Sequence, residues 1–359
     1  MSKIRFALVG SGWRAKFYIR ISKALPEIFE LTSVLIRDPQ KAEAFGREFN
    51  VQTTSDLNDL IRQSPDYVVL SVMRGTFNVY LKKLFQQNVP VLCETPPAET
   101  LEDLLDLWKA YNEDRPKIQI AEQYFAQPLY AAWYKAITDN LIGEVENINI
   151  SALHGYHGAN IIRRYLNTGF ENCRIYGKRF NFNITETYGR DGMVFDGQIK
   201  PYKRDRLTFE FDYGKVAFFD FADVQYHSFI RTRQLNVQGT RGEIDDLTIR
   251  YLNGANISVT QSFNRIDQGI YNNQDWAHFG IMLGEKFLYK NPFPGARLND
   301  DEIAVATCMY LMKEYLDNGK EFYSLKEALQ DTYLSIKMNE ALVSPNREIK
   351  TEAQLWSKD

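Results

Sequence analysis

The chain has 359 residues, 44% of them hydrophobic and 25% charged, with a formal net charge of -3, which is length enough for two domains of a soluble globular protein. That acidic balance offers no attraction to nucleic acid or an anionic membrane, and no apolar run approaches the roughly 18 residues of a membrane helix. The three cysteines, Cys93, Cys173 and Cys308, lack metal-ligand spacing and argue against a disulfide framework, so a reducing, cytoplasmic setting is expected and no metal site. Lys3 and Arg5 precede an apolar run, but it ends at Gly10 and no cleavage site follows, so no signal peptide is read here.

The run Phe6 to Val9 predicts a strand buried on both faces of a parallel sheet. It feeds a glycine turn, Gly10, Ser11, Gly12, Trp13, Arg14, Ala15, with the spacing of the dinucleotide fingerprint. There the first glycine makes the tight turn, the second lets backbone approach a pyrophosphate, and a small third residue lets the helix pack closely. A helix follows over Lys16 to Ala24, its amino end aimed at the phosphates.

A second strand is predicted over Leu31 to Ile36, and the residue after it is Arg37. An NAD-binding protein usually offers a carboxylate near that point to the ribose hydroxyls; a cation favours the extra phosphate of NADP, with Arg14 as a second contributor. Helices are then predicted over Pro39 to Phe49, Asp56 to Gln63 and Phe77 to Gln87, with strands at Tyr67 to Val72, Val89 to Cys93 and Ile118 to Gln123. This alternation builds a doubly wound parallel sheet with right-handed crossovers. Ligands of such sheets lie beyond the carboxyl ends of the strands, which brings Ser71, Val72 and Glu94 into the candidate cofactor site.

The segment Val89 to Thr100, VPVLCETPPAET, resembles the part of the Gfo/Idh/MocA oxidoreductases that carries their Glu-Lys-Pro signature. The amino-terminal fingerprint, the Pro39 helix and the run LIGEV from Leu141 to Val145 are similar to that family in order and spacing. The resemblance implies a Rossmann domain followed by an α+β domain, a nicotinamide cofactor, NADP or NAD, and a sugar, polyol or related hydroxy compound as small-molecule substrate. It also implies a homodimer or homotetramer. The family's lysine falls on Thr95, which carries no cation and cannot serve as a base near neutral pH. Its frequent histidine falls on Asn78, and its arginine-rich entry to the second domain reads Gln123, Tyr124, Phe125.

The second half opens with a helix predicted over Leu129 to Asn140 and a strand over Val145 to Ala152. A helix carrying LHGYHGANIIRRYL, Leu153 to Leu166, comes next. The resemblance places His157 on a substrate-facing family histidine and Asn160 on an aspartate. Oxidising an alcohol by hydride transfer also requires removal of the hydroxyl proton, for which imidazole is suited; His157 is the first candidate, with His154 and Tyr156 beside it, and Thr95 is a further candidate near the nicotinamide ribose. Arg163 is a candidate to hold an anionic substrate group.

From Ile175 to about Asn264 the pattern changes to short alternating strands separated by turns such as Asn253-Gly254, which predicts a large open, mostly antiparallel sheet with one face free for a second subunit. Tyr271 and His278, in YNNQDWAH, are further candidate substrate residues. Helices are predicted over Asp300 to Leu316 and Leu325 to Leu342. The expected domains are 1-123, a Rossmann domain; 124-345, a substrate and dimerisation domain, one late helix of which could return to the first; and 346-359, a loosely held tail. The leading expectation is an NADP-dependent oxidoreductase acting on CH-OH groups. A redox-assisted glycosidase with tightly bound NAD(P), or a non-catalytic NAD(P)-binding regulatory protein, remains open because of Thr95.

Overall fold

Six short strands near the amino end set the frame. The structure, a computed structural model, describes residues 2–72, 75–189, 192–269 and 276–358. The chain begins β1 (Ile4–Val9), α1 (Trp13–Ala24), β2 (Phe29–Leu35), α2 (Pro39–Phe49), β3 (Thr53–Thr54), α3 (Leu57–Arg62), β4 (Tyr67–Leu70), α4 (Phe77–Gln86), β5 (Val91–Cys93), α5 (Leu101–Asp114) and β6 (Ile118–Ile120). The strands pair in parallel in the order β3-β2-β1-β4-β5-β6. The order reverses at β1, which opens a ligand crevice at the carboxyl ends of β1 and β4. The apolar runs read from the sequence are these strands, with Phe6 to Val9 and Val68 to Leu70 fully buried.

Local chemistry fixes the helix starts. Asp38 caps α2 by accepting from the amides of Gln40 (3.0 Å) and Lys41 (3.1 Å), with Pro39 in the first turn. The sequence reading passes over α5, although Thr100 caps it by accepting from the Asp103 amide at 3.1 Å and Leu104, Leu107 and Trp108 form its buried stripe.

The chain divides into two compact units. The first comprises Met1–Ala131, Arg265–Gly280 and Tyr289–Leu329. Its late helix α8 (Asp300–Asn318) has a capping box between Asn299 and Glu302. Ile303, Val305, Cys308, Met309 and Met312 of α8 share one core with Phe6, Leu8, Tyr18 and Tyr67, and the Tyr67 hydroxyl donates to the Met309 carbonyl at 2.9 Å.

The second unit comprises Ala132–Asn264, Ile281–Leu288 and Gln330–Asp359. The remaining elements are α6 (Pro128–Thr138), β7 (Val145–Ser151), α7 (Gly155–Leu166), β8 (Cys173–Thr185), β9 (Tyr188–Gly189), β10 (Gly192–Met193), β11 (Ile199–Phe211), β12 (Val216–Phe221), β13 (Gln234–Gly239), β14 (Gly242–Asp245), β15 (Thr248–Leu252), β16 (Ser258–Gln268), β17 (Ala277–Leu283), β18 (Lys286–Lys290), α9 (Leu325–Val343) and β19 (Ile349–Lys350). Eleven strands join in the order β18-β17-β16-β15-β14-β13-β7-β12-β11-β8-β19. Only β7 and β12 among the described pairings of this sheet are parallel.

Alternation sorts the two faces of that sheet. Ile148, Ile150, Leu207, Phe209, Ala217, Phe219, Leu235 and Val237 are buried, as are Ile161, Ile162, Tyr165 and Leu166 of α7. Gly158 lets α7 come close to the sheet, since a Cβ there would sit 2.5 Å from the Phe219 ring. The other face carries ion pairs such as Arg204 with Asp220 and Arg250 with Glu243, around an exposed Phe218.

The tail departs from expectation. Rather than hanging loosely, β19 pairs with β8, Thr351 exchanges hydrogen bonds with Cys173, and Trp356 is fully buried with its indole N–H donating to Gln330 Oε1 at 2.9 Å. A large aromatic ring with a satisfied polar tip gives the segment its own anchor. Trp356→Ala is expected to destabilise the second unit by about 3–5 kcal/mol, read as a lowered midpoint in urea unfolding with little change in slope.

Candidate functional site

The glycine turn between β1 and α1 is built by two different constraints. Gly10 has φ +120°, and a Cβ there would lie 1.9 Å from the Ser71 carbonyl oxygen at the end of β4. Only glycine fits. A Cβ on Gly12 would meet nothing within 4 Å, so the backbone borders open space. Gly12 stands at the amino cap of α1 and supplies no side-chain hydrogen bond to its first amides, while Ala15 is fully buried. Uncapped amides, a positive dipole end and open space make a site for a diphosphate. Ser11 and Trp13 are exposed at its rim, and Ser71 and Val72 border it from β4.

At the end of β2, Arg37 is exposed and makes no ion pair among the described residues. The carboxylate one position on, Asp38, is engaged through Oδ1 in capping α2.

Arg14 departs from the part expected of it beside Arg37. Its guanidinium turns to the other side of β1, stacked on Phe17 (4.8 Å) and 3.7 Å from Glu94 Oε1 beyond β5. The Tyr18 hydroxyl donates to the same oxygen at 2.6 Å. Burial raises the pKa of Glu94, with Arg14 and Tyr18 pulling against it; burial likewise opposes charge on Arg14, but Glu94 and then Tyr18 more than compensate. Glu122, just past β6, is fully buried and accepts from the Tyr124 amide at 3.1 Å; burial pushes its pKa up to about 8. Thr95, partly exposed, joins Glu94 to Pro96 through a cis peptide bond.

Several buried polar atoms of this unit have no hydrogen-bond partner, and Arg14 Nη1, Asn78 Oδ1 and Gln123 Oε1 are among them. Asn78 gives its amide to Asp103 at 3.1 Å, and Gln123 is 2% exposed. With the open glycine turn they fit a dinucleotide, which brings a diphosphate and hydrogen-bonding groups on both nucleosides.

In the second unit, α7 starts at the histidine pair. The His154 ring Nδ1 lies 2.6 Å from the Tyr226 hydroxyl, which also accepts from the His154 amide at 3.0 Å. His157 is 4% exposed, its ring 4.9 Å from His154 and 4.4 Å from Tyr156. A cavity of about 160 Å3 beside His154 is lined by Arg179, Asp205, Phe219, Ser335 and Asn339 among others. Arg179 and Asp205 form a two-pronged ion pair at its edge. The sequence offered no sign of Tyr226, which lies 72 residues from its histidine partner.

Two candidate substrate residues prove structural. Arg163 is 4% exposed, with Nη1 2.6 Å from Asp331 and Nε donating to the Gly169 carbonyl at 2.7 Å; Asn160 also donates to Asp331 at 3.4 Å. A buried arginine so paired holds α7 to α9. His278 is fully buried in β17, a strand that the sequence reading does not predict, with Nδ1 2.8 Å from Asp267. Tyr271 lies outside the described residues. Among the described residues no group of three His, Cys, Asp or Glu side chains is placed to hold a metal ion, and no helix is long and apolar enough to cross a membrane.

The 3-2-1-4-5-6 parallel sheet with an open glycine turn at its switch point defines a Rossmann-type dinucleotide-binding unit, here joined to a large mostly antiparallel sheet. Residues 4–122 match the model of the Gfo/Idh/MocA oxidoreductase family, described as an NAD-binding Rossmann fold. The whole chain shares its fold with solved structures of low identity. A putative myo-inositol dehydrogenase from Sinorhizobium meliloti is 16% identical, with a TM-score of 0.65 over 98% of this chain and 100% of that one. The WlbA dehydrogenase of Chromobacterium violaceum, solved with NADH and UDP-GlcNAcA, is 16% identical, with a TM-score of 0.63 over 98% and 97%. An oxidoreductase from Agrobacterium radiobacter, solved with NAD+, L-tartaric acid and magnesium, is 14% identical, with a TM-score of 0.66 over 97% and 98%. Comparison with curated protein sequences gives no match.

The two glycines separate stability from binding. Gly10→Ala is expected to cost about 2 kcal/mol or more of stability, whereas Gly12→Ala leaves the melting temperature within a degree or two and weakens nucleotide binding, as calorimetry would show. Glu122 gives a pH signature. Its native pKa of about 8 lies above its ordinary 4.5, so the unfolded chain binds fewer protons between those values and this group's contribution to stability falls as pH rises through that window. Glu122→Gln should flatten the decline, with the variant gaining most over the parent near pH 8 in denaturant titrations.

Proposed function

We propose that the protein is an oxidoreductase that moves hydride between NADP, in preference to NAD, and a carbon bearing a hydroxyl group in a sugar, polyol or related compound. The observation that carries this reading is the open turn at Gly12, without a side-chain cap and set by the packing of Gly10 on Ser71, in a segment that matches the model of an oxidoreductase family. Ser11 and Gly12 seat the diphosphate through backbone amides, Trp13 stands at the rim, and Gly10, whose own amide donates to the Leu35 carbonyl at 3.1 Å, shapes the turn. Arg37, exposed and outside any ion pair among the described residues, meets the 2′-phosphate, while Asp38 is spent on α2. Glu94 and Thr95 lie by the nicotinamide ribose, where the Thr95 hydroxyl can donate or accept one hydrogen bond.

The bound nicotinamide supplies the hydride acceptor. His157 takes the hydroxyl proton, and the neighbouring His154, tied to Tyr226, keeps the pair of rings oriented. Hydroxyl-rich substrates suit the polar lining beside His154, and two of the structural neighbours are described as inositol dehydrogenases, one putative from S. meliloti and one from Lactobacillus casei acting on scyllo-inositol. The homo-oligomer of the reading, a dimer or tetramer, would form on the outer sheet face.

NADP should bind at least ~10-fold more tightly than NAD, a difference of about 1.4 kcal/mol, and Arg37→Glu should reverse that order in calorimetric titrations. In a polyol and sugar panel with NADP, His157→Asn should lower kcat by about 100-fold or more without changing NADP affinity. Tight NADP binding with no turnover on any panel member would replace this reading with a non-catalytic binding role. Release of an aglycone without net change in NADPH would replace it with redox-assisted glycoside cleavage.

A further inference from the structure

Arg14 Nη1 and Gln123 Oε1 are both shut away from water and bonded to nothing. A buried polar atom left so costs about 1–3 kcal/mol, and such atoms in folded proteins call for an explanation in strain, function or a ligand. The two belong to one neighbourhood. Arg14 Nε lies 3.7 Å from Glu94 Oε1 just past β5, and the Ala121 amide donates to the Cys93 carbonyl at 2.8 Å, so the chain leaving β6 toward Gln123 starts beside the end of β5.

Their place in the sheet says which end of a dinucleotide they face. Arg37 follows β2, on one side of β1, whereas Glu94 follows β5 and Gln123 lies just beyond β6, on the other side. A dinucleotide with its diphosphate over Gly12 and its adenosine toward β2 therefore directs its second base toward Arg14 and Gln123. An unpaired N–H donor and an unpaired carbonyl acceptor on the same side of the crevice are the complement of a primary carboxamide, whose oxygen accepts and whose NH2 donates.

We propose that Arg14 Nη1 and Gln123 Oε1 bind the carboxamide of the nicotinamide ring and thereby fix which ring face is presented to the substrate. The assignment rests on the dinucleotide reading above. Glu94 and Tyr18 act as positioning residues. The Tyr18 hydroxyl and Arg14 Nε converge on Glu94 Oε1, and the guanidinium plane rests on Phe17, so Nη1 is held in place before the ring arrives. The preorganised cation costs little ordering on binding.

The test compares three ligands by calorimetry on the full chain: NADP, its 3-acetylpyridine analogue, which keeps the carbonyl but replaces NH2 by methyl, and 2′-phospho-ADP-ribose, which lacks the ring. The parent protein should bind NADP about 10-fold more tightly than the acetylpyridine analogue, since the analogue leaves Gln123 Oε1 unpaired. Gln123→Met should abolish that discrimination. Arg14→Met should weaken NADP and the analogue by 10-fold or more while leaving 2′-phospho-ADP-ribose unchanged, and thermal melts report whether either variant folds. Equal affinity of the parent for NADP and the analogue overturns the proposal without any variant. So does discrimination that survives in Gln123→Met, or an equal loss for the ringless ligand in Arg14→Met. Failure of the parent to bind any of the three, including 2′-phospho-ADP-ribose, would instead bring down the dinucleotide reading itself.

Discussion

The close approach of Gly10 to the Ser71 carbonyl is the constraint on which the first unit depends. Strands β1 and β4 are neighbours at the point where the sheet order reverses, and the chain leaving β1 must turn across the end of β4 with no side chain between them. Because Gly10 takes that conformation, α1 starts at Trp13 with its amino end over the crevice. A residue with a Cβ would push the turn outward and move the helix dipole off the diphosphate position. Binding geometry here follows from a packing requirement between two strands.

A second constraint is electrostatic. Two carboxyl groups, Glu94 and Glu122, are buried within the field of one arginine, and burial raises the pKa of both. Arg14 keeps its charge because Glu94 and Tyr18 stand beside it. Buried groups of this kind add little net stability, since desolvation offsets much of the attraction. Their value lies in orientation: a stacked, paired guanidinium has few alternative positions, and the side of the crevice away from Arg37 gains a fixed cation although Thr95 brings none.

Much of this architecture was legible in the sequence, because it is written in local signals. The apolar runs of β1, β4 and β5, the glycine turn, the Asp38-Pro39 helix start and the change to alternating strands after Ile175 each lie within a few neighbouring residues. The site was legible only in part. Gly10, Gly12 and Arg37 declare themselves by position, but the partners of Arg14, His154, Arg163 and His278 come from distant segments: Asp331 is 168 residues from Arg163, and Tyr226 is 72 from His154. Spacing along the chain cannot show whether an arginine is spent on an internal carboxylate. That is why Arg163 and His278 read as substrate residues and are instead buried supports, and why Trp356, in a segment that looks like a frayed end, is a core residue.

The buried tail bears on how the large sheet ends. By lying along Arg174 and Ile175, the two residues of β19 occupy amide and carbonyl groups that would otherwise form an open sheet margin. At that border the sheet ends on a strand of two residues held down by the buried Trp356 ring, and a strand so short offers few backbone groups for another chain to pair with.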